Sequence, residues 1–342
     1  MPCYSSPMRK PNWTATLPLL LASCGAEADL VVYCSLDQVH SEKIIQLFEE
    51  RSGLNVSAQW DVEANKTIGM VNRLLAEKSR PHADVYWNNE IAQTLRLKRA
   101  GVTAPYFSPS AQAIPASFKD SEGHWTGFAA RARVFLYRED LPGQHAPPPR
   151  VESMLLPEFA PHGGLARPLT GTTLTHFSVL SQQQGKDAVL QWLREAKNSG
   201  LSFGPGNAAA MRRVCEGDFP WCLTDTDDAA AAKRNGYPVH LLYPDQQEDA
   251  PGTLLIPNTA CLILNAPHPE NGKRFLDFLL SEEVEAILAS ADSEQIPLRP
   301  TVPTPEHIQL PGKDFRAMAV DWEAAALELE ARQDDFKELF LE

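Results

Sequence analysis

Three carboxylates crowd into four residues at Asp225, Asp227 and Asp228, closing the segment Leu223-Thr224-Asp225-Thr226-Asp227-Asp228. Ionised together in a cleft, they repel one another unless a cation is present. Hard cations such as calcium or ferric iron take oxygen ligands, and an ammonium group fits the same acids. The acids also suit the first turn of a helix leading into Ala229 to Ala232. If the segment is extended, Asp225 and Asp227 share a direction and Asp228 points away as a cap. Gly171-Thr172-Thr173 offers the opposite chemistry. Small residues at a helix start leave backbone N–H groups free, and the helix dipole and two hydroxyls add to an anion site. An ordinary N-cap by Thr170 or Thr172 reads equally well. Arg131 and Arg133 fall on one face of an extended segment. There each can pair with a carboxylate or phosphate of a ligand, or with the chain's own acids.

Other patterns exclude chemistry. Gly204-Pro205-Gly206-Asn207-Ala208-Ala209 superficially matches a dinucleotide fingerprint with Asp225 about twenty residues on. Pro205 inside the turn and the late chain position count against it. No Walker phosphate loop, Gly-x-Ser-x-Gly elbow or His-Glu-x-x-His occurs. His124, His162, His176 and His240 are scattered and read as surface or capping residues. The chain is therefore read as a binder and not an enzyme, with an exported enzyme as the remaining rival.

The elements that must position these groups alternate. Leu30 to Tyr33 reads as a strand, Ser41 to Arg51 as a helix with Gly53 as its stop, and Leu54 to Val56 as a strand. Thr67 to Lys78 follows as a helix and Ala83 to Trp87 as a strand. Gly127 to Tyr137 is a long extended segment, and Pro142 to Pro149 a Pro-rich connection. A second set contains helices from Thr173 to Gln184, from Ala188 to Lys197 and from Asn207, with strands at Leu201–Phe203, Val239–Tyr243 and Thr253–Leu264. Phe275 to Leu288 reads as one strongly periodic helix, and Phe315 to Leu341 as an acidic helix or pair of helices. Alternating strands and helices predict an α/β fold of mixed, mostly parallel sheets flanked by helices. Two such sets predict two lobes, with ligands beyond the carboxyl ends of the strands. Tyr33-Cys34-Ser35-Leu36-Asp37 and Tyr86-Trp87-Asn88-Asn89-Glu90 therefore join the post-strand segments of interest.

The 342 residues suffice for two lobes, and 43% hydrophobic with 22% charged is a globular balance. The N-terminus reads as an export signal over residues 1–23: Met8-Arg9-Lys10, an apolar stretch from Trp13 to Leu21, then Leu21-Ala22-Ser23-Cys24-Gly25. The apolar stretch is too short for a membrane span, which needs about 20 residues. Leu-Ala-Ser-Cys is similar to the bacterial lipobox, which would make Cys24 a lipid-carrying first residue; a plain secretory cut is the alternative. Without residues 1–23 the chain has 29 bases against 44 acids, a net charge of −15. That surface repels nucleic acid and anionic lipid, leaving the anchor as the only expected membrane contact. Cys215 and Cys222 are spaced to close a small disulfide loop, with buried thiols as the alternative.

Together the segments Val-Val-Tyr-Cys-Ser-Leu-Asp at 31–37, Ala-Asp-Val-Tyr-Trp-Asn-Asn-Glu at 83–90, Trp-Thr-Gly-Phe-Ala-Ala-Arg-Ala-Arg-Val at 125–134, Leu-Thr-Gly-Thr-Thr at 169–173 and Pro-Gly-Thr-Leu-Leu-Ile-Pro-Asn-Thr at 251–259 resemble bacterial periplasmic binding proteins, in the ferric-ion-binding branch. The resemblance implies a two-lobed fold, with residues 30–130 and 258–300 in lobe 1 and 131–257 and 301–342 in lobe 2. It implies hinge strands near 128–134 and 253–263, and a monomer that delivers its ligand to an ABC permease. It also implies Fe(3+) held with a synergistic anion. The branch uses an early histidine, a glutamate and a tyrosine pair; their places here fall on Asp37, on Asn89 beside Glu90, and on Thr226-Asp227. Asp225 adds a further carboxylate. The anion's place falls on Gly171, Thr172 and Thr173 with Asn207, and Arg131 or Arg133 lines the cleft. The missing tyrosines leave a second reading, in which the carboxylates hold an ammonium and the helix start a phosphonate, as in 2-aminoethylphosphonate.

Overall fold

A computed structural model of the chain describes residue 1 and residues 28–61, 68–140 and 146–341. The export signal, Cys24 and part of the Pro-rich connection lie outside the described residues. The first lobe opens with β1 (Leu30–Cys34), α1 (Gln38–Ser52), β2 (Val56–Trp60), α2 (Ile68–Ala76), β3 (Val85–Asn88), α3 (Ala92–Arg99) and the short β4 (Thr103–Ala104). β1 pairs parallel with both β2 and β3. β3 is buried along its whole length, as a central strand covered on both faces requires. Gly53 ends α1 in the left-handed region (φ 70°), its N–H closing on the Glu49 carbonyl.

β5 (Thr126–Arg138) then leads to the second lobe: β6 (Gly163–Ala166), α4 (Gly171–Gln184), α5 (Lys186–Asn198), β7 (Ser202–Gly204), α6 (Asn207–Glu216), β8 (Trp221–Asp225), α7 (Thr226–Arg234) and β9 (Val239–Leu242). β10 (Leu255–Ile263) returns to the first lobe, followed by α8 (Pro269–Leu279) and α9 (Glu282–Ser290), and α10 (Trp322–Leu341) closes the chain. The strand order is β2-β1-β3-β10-β5-β8-β6-β7, with β4 on β10 and β9 on β5. β5 belongs to both sheets. Its residues Thr126 to Ala132 pair with β10, and Arg133 to Tyr137 pair with β8.

The junction is built around a bulge. The β5–β10 register shifts between Pro257 and Asn258, and Ala129 takes a positive φ of 38°. That conformation is unusual for a side-chain-bearing residue, and a polar cluster holds it. The Asn258 amide donates to the Ala129 carbonyl, and the Glu285 carboxylate accepts from Ala129 N at 2.8 Å and Leu298 N at 3.0 Å. Glu285 also pairs with Arg299 at 2.7 Å, both fully buried. Breaking such a pair leaves one charge unpaired, at about 3–5 kcal/mol.

Three expectations change. The periodic run from Phe275 to Leu288 is two helices, because Leu280 leaves the helix and the Ser281 hydroxyl caps α9 by accepting from Val284 N at 3.3 Å. Cys215 and Cys222 are buried free thiols, as are Cys34 and Cys261. His176, read as a surface or capping residue, is buried in α4, and burial with the nearby Arg133 charge pushes it down to about 3. It is therefore neutral. α4 is buried all round from Thr172 to Ser181, because sheet, α5 and α10 enclose it. Among the described residues no helix is long and apolar enough to cross a membrane.

Candidate functional site

The carboxyl ends of β1, β3, β6, β7 and β8 all open on one cavity of about 310 Å³ beside the shared strand β5. β1 delivers Asp37, and β3 delivers Asn89 and Glu90. β6 leads to Thr170, Gly171 and Thr172, β7 to Pro205 through Ala208, and β8 to Asp225, Asp227 and Asp228, while β5 supplies Arg131. A hollow of about 1020 Å³ lies elsewhere, bounded by Pro297–Pro300 and Leu310–Ala317, and gathers none of these strand ends. The strand-end cavity is the candidate site, because β1, β3, β6, β7 and β8 all aim their following residues into it.

A buried network forms the floor on the second-lobe side. Arg133, fully buried, donates to Asp225 at 2.7 Å, to the Thr172 hydroxyl at 3.3 Å and to the Thr173 hydroxyl at 3.2 Å. Thr172 donates to Asp225 at 2.5 Å, and the Asn207 amide donates to Asp225 at 2.9 Å and to Thr172 at 2.8 Å. Thr173 closes the circuit on the Asn207 carbonyl oxygen at 2.9 Å. Burial opposes the Asp225 charge, but Arg133, Arg131 and Thr172 outweigh it and hold the carboxyl below its usual range. Asp225 is thus spent on tying β5, α4, α6 and β8 together. Thr173, Thr226 and Arg133 do not line the cavity. The Thr226 hydroxyl accepts from Ala132 N at 3.3 Å.

Above this floor, the starts of α4 and α6 face the cavity with no side chain capping either. Gly171 opens α4 at a φ of 61°. Arg131, 8% exposed, donates to the Asn89 carbonyl of the first lobe and to Asp227 of the second at 3.2 Å, and its Nε has no hydrogen-bond partner among the described residues. Burial works against its charge, but Asp227 and Asp225 keep it firmly protonated.

The acids do not gather as expected. Asp225, Asp227 and Asp228 bring a carboxylate oxygen each within 4.8 Å of one another, and neither Asp37 nor Glu90 joins that group. Glu90 is buried and serves α3. Its carboxylate accepts from Ala92 N at 2.7 Å, Gln93 N at 2.8 Å and the Asn88 amide at 3.1 Å. It also accepts from the Thr175 hydroxyl of α4 at 3.2 Å. Burial still raises its pKa. Asp37 stands exposed at the start of α1 on the cavity rim. Asp228, expected to point away, lines the cavity, because the strand ends at Asp225 and strict alternation no longer applies. Burial, then Asp227 and Asp225, push it up to about 7, and the Thr224 hydroxyl donates to it at 2.5 Å. Pro205, Gly206 and Ala208 were overlooked as lining. Their position after a short strand was the available signal.

A family model described as "Bacterial extracellular solute-binding protein" matches residues 92–324. The chain is 23% identical over 290 residues to the major ferric iron-binding protein of Neisseria meningitidis serogroup A, covering 83% of this chain and 85% of that one. It is 25% identical over 331 residues to a periplasmic protein of Salmonella typhimurium for which 2-aminoethylphosphonate binding is proposed, covering 92% and 93%. Among solved structures, iron-bound HitA from Pseudomonas aeruginosa superposes with a TM-score of 0.79 at 20% identity, over 90% of this chain and 98% of that one.

Proposed function

The chain belongs to the bacterial extracellular solute-binding proteins, and on that premise we propose that it is the solute-binding component of an ABC importer whose cleft takes a small zwitterion, an oxyanion joined to an ammonium group. The carrying observation is the mixed lining of the cavity. Uncapped starts of α4 and α6, with Arg131, favour an oxyanion. Asp227 and Asp228 beside them, with Asp37 at the rim, favour a cation next to it. Among the described residues, five carboxyl side chains and one arginine line the cavity, so a ligand of purely negative charge is disfavoured. 2-Aminoethylphosphonate carries both groups.

Ferric iron with a synergistic anion is the second reading, favoured by the convergence of Asp225, Asp227 and Asp228 within 4.8 Å. It ranks below the first because Asp225 is consumed by Arg133, Thr172 and Asn207, and Glu90 by the start of α3. Hard cations want about six oxygen ligands, and among the described residues no tyrosine lines the cavity. Calorimetry of the mature chain against 2-aminoethylphosphonate and against ferric citrate decides. Heat with the phosphonate alone supports the first reading, and heat with ferric citrate alone overturns it. Asp37, Asn89, Thr226 and the other predicted residues enter this proposal as walls and frame. We further propose that a lipid on Cys24 holds the protein at the cell envelope. A Cys24→Ser chain that stays in the membrane fraction would rule this out.

A further inference from the structure

α10 touches both lobes by two different kinds of contact. Its buried stripe of Trp322, Ala325, Ala326, Leu329 and Phe336 belongs to a core that runs without a break from the first lobe to the second. On the second lobe, the Gln183 amide of α4 donates to the Ala319 carbonyl just before α10, at 3.0 Å. Near the far end, Phe340 packs on Phe203 at 4.9 Å, and Lys197 of α5 donates to the Leu339 carbonyl at 2.5 Å. On the first lobe α10 shares that core with α3 and adds ionic contacts. Lys98 of α3 meets Glu323 at 2.9 Å, and Arg99 meets Glu330 at 2.5 Å and Glu323 at 3.7 Å. These four groups are partly exposed, and Lys98 also holds Asp120 of its own lobe at 2.7 Å.

The geometry matters because α3 and α4 both start at the cleft, one from each lobe, and α10 lies across them. Hinging at β5 and β10 must therefore part α10 from one of the two helices. α10 meets α4 more extensively than α3 and also packs on α5, and the Phe203–Phe340 contact adds to that side, so parting is harder on the second-lobe side. Exposed ion pairs exchange readily with water and salt, so the α3 side yields.

We propose that α10 is a clasp on the cleft: it travels with the second lobe, and rupture of its ion pairs to Lys98 and Arg99 opens the lobes. The clasp does not depend on which solute is bound. Small-angle scattering of the ligand-free mature chain tests it without any ligand. A compact chain of this length has a radius of gyration of about 20 Å, and opening raises it. The unmodified chain should expand between 0.05 M and about 1 M NaCl, where the screening length falls to roughly 3 Å. The double variant Glu323→Gln, Glu330→Gln should be expanded already at low salt and respond no further. Glu283→Gln, which removes the Arg51–Glu283 pair inside the first lobe, should behave like the unmodified chain. A radius in the unmodified chain that ignores salt overturns the clasp, as does a folded double variant indistinguishable from it at low salt. The salt series needs no variant, so it decides even if the substitutions impair folding.

Discussion

Burial, with Asp227 and Asp225 beside it, pushes the Asp228 carboxyl up to about 7, whereas the unfolded chain ionises such a group near 4. Between those values the folded state holds a proton that the unfolded state has lost. Stability from this group is full below about pH 4 and is lost as pH rises through about 7. Asp228→Asn keeps the shape and cannot ionise. Thermal melts at pH 5 and pH 8 should show a smaller loss in D228N than in the native chain, by on the order of 1 kcal/mol; parallel losses would remove Asp228 from the cause. Glu90 and Asp227 are raised in the same direction, burial being the first cause for each, so some slope persists in the variant. Asp227 answers a different question. It takes the Arg131 guanidinium at 3.2 Å and Asp228 N at 3.0 Å while facing the cavity. Asp227→Ala should weaken 2-aminoethylphosphonate binding at least tenfold, about 1.4 kcal/mol. Unchanged affinity by calorimetry would place it outside the site.

At the scale of the element, α4 does two jobs at its two ends. Gly171 begins it at φ 61° and Gly185 ends it at φ 89°, and a Cβ at either would meet open space. Alanine at either position therefore carries backbone strain and no clash, at about 1–2 kcal/mol. Only Gly171 lines the cleft. Gly171→Ala should lower both melting temperature and solute affinity, because it turns the first N–H groups of the helix away from their present aim. Gly185→Ala should lower the melting temperature alone. Equal losses of affinity in the two variants would mean that the start of α4 has no special part in binding. The Arg133–Asp225–Thr172–Asn207 network explains why the aim is kept: it fixes the starts of α4 and α6 to the end of β8 through hydrogen bonds anchored on the buried Arg133–Asp225 pair.

For the whole molecule, a solute seated between lobes binds the folded chain and not the unfolded one. At one hundred times its dissociation constant it adds about 2.7 kcal/mol, and larger domains gain roughly 2–4 °C per kcal/mol. A correct ligand should therefore raise the melting temperature clearly in a concentration series, and D227A should cut the rise at a given concentration by about half or more. A solute giving no rise at saturation is not the cargo. The same clasped, two-lobed arrangement predicts that the bound form is as compact as the salt-free, ligand-free one, since α10 already spans α3 and α4.

The sequence by itself determined the alternation of strands and helices, and with it the α/β class and the post-strand segments. Apolar runs and helical periodicity are local properties, and residues such as Leu30–Cys34 and Gly53 express them without help from the rest of the chain. It also determined which residues stand at strand ends: Asp37, Asn89, Glu90, Gly171, Thr172, Asn207, Asp225 and Asp227 all line one cavity. What those groups do there was decided by tertiary structure. A carboxylate is chemically the same in Asp225, Glu90 and Asp228, and only its neighbours separate them. Arg133 makes Asp225 a strut, the start of α3 makes Glu90 a cap, and burial, with Asp227 and Asp225 beside it, raises the pKa of Asp228 at the cleft. The break at Ser281, the free thiols of Cys215 and Cys222 and the burial of His176 belong to the same class. Each depends on which distant surfaces meet, and pairwise contact between distant segments is written in no local pattern.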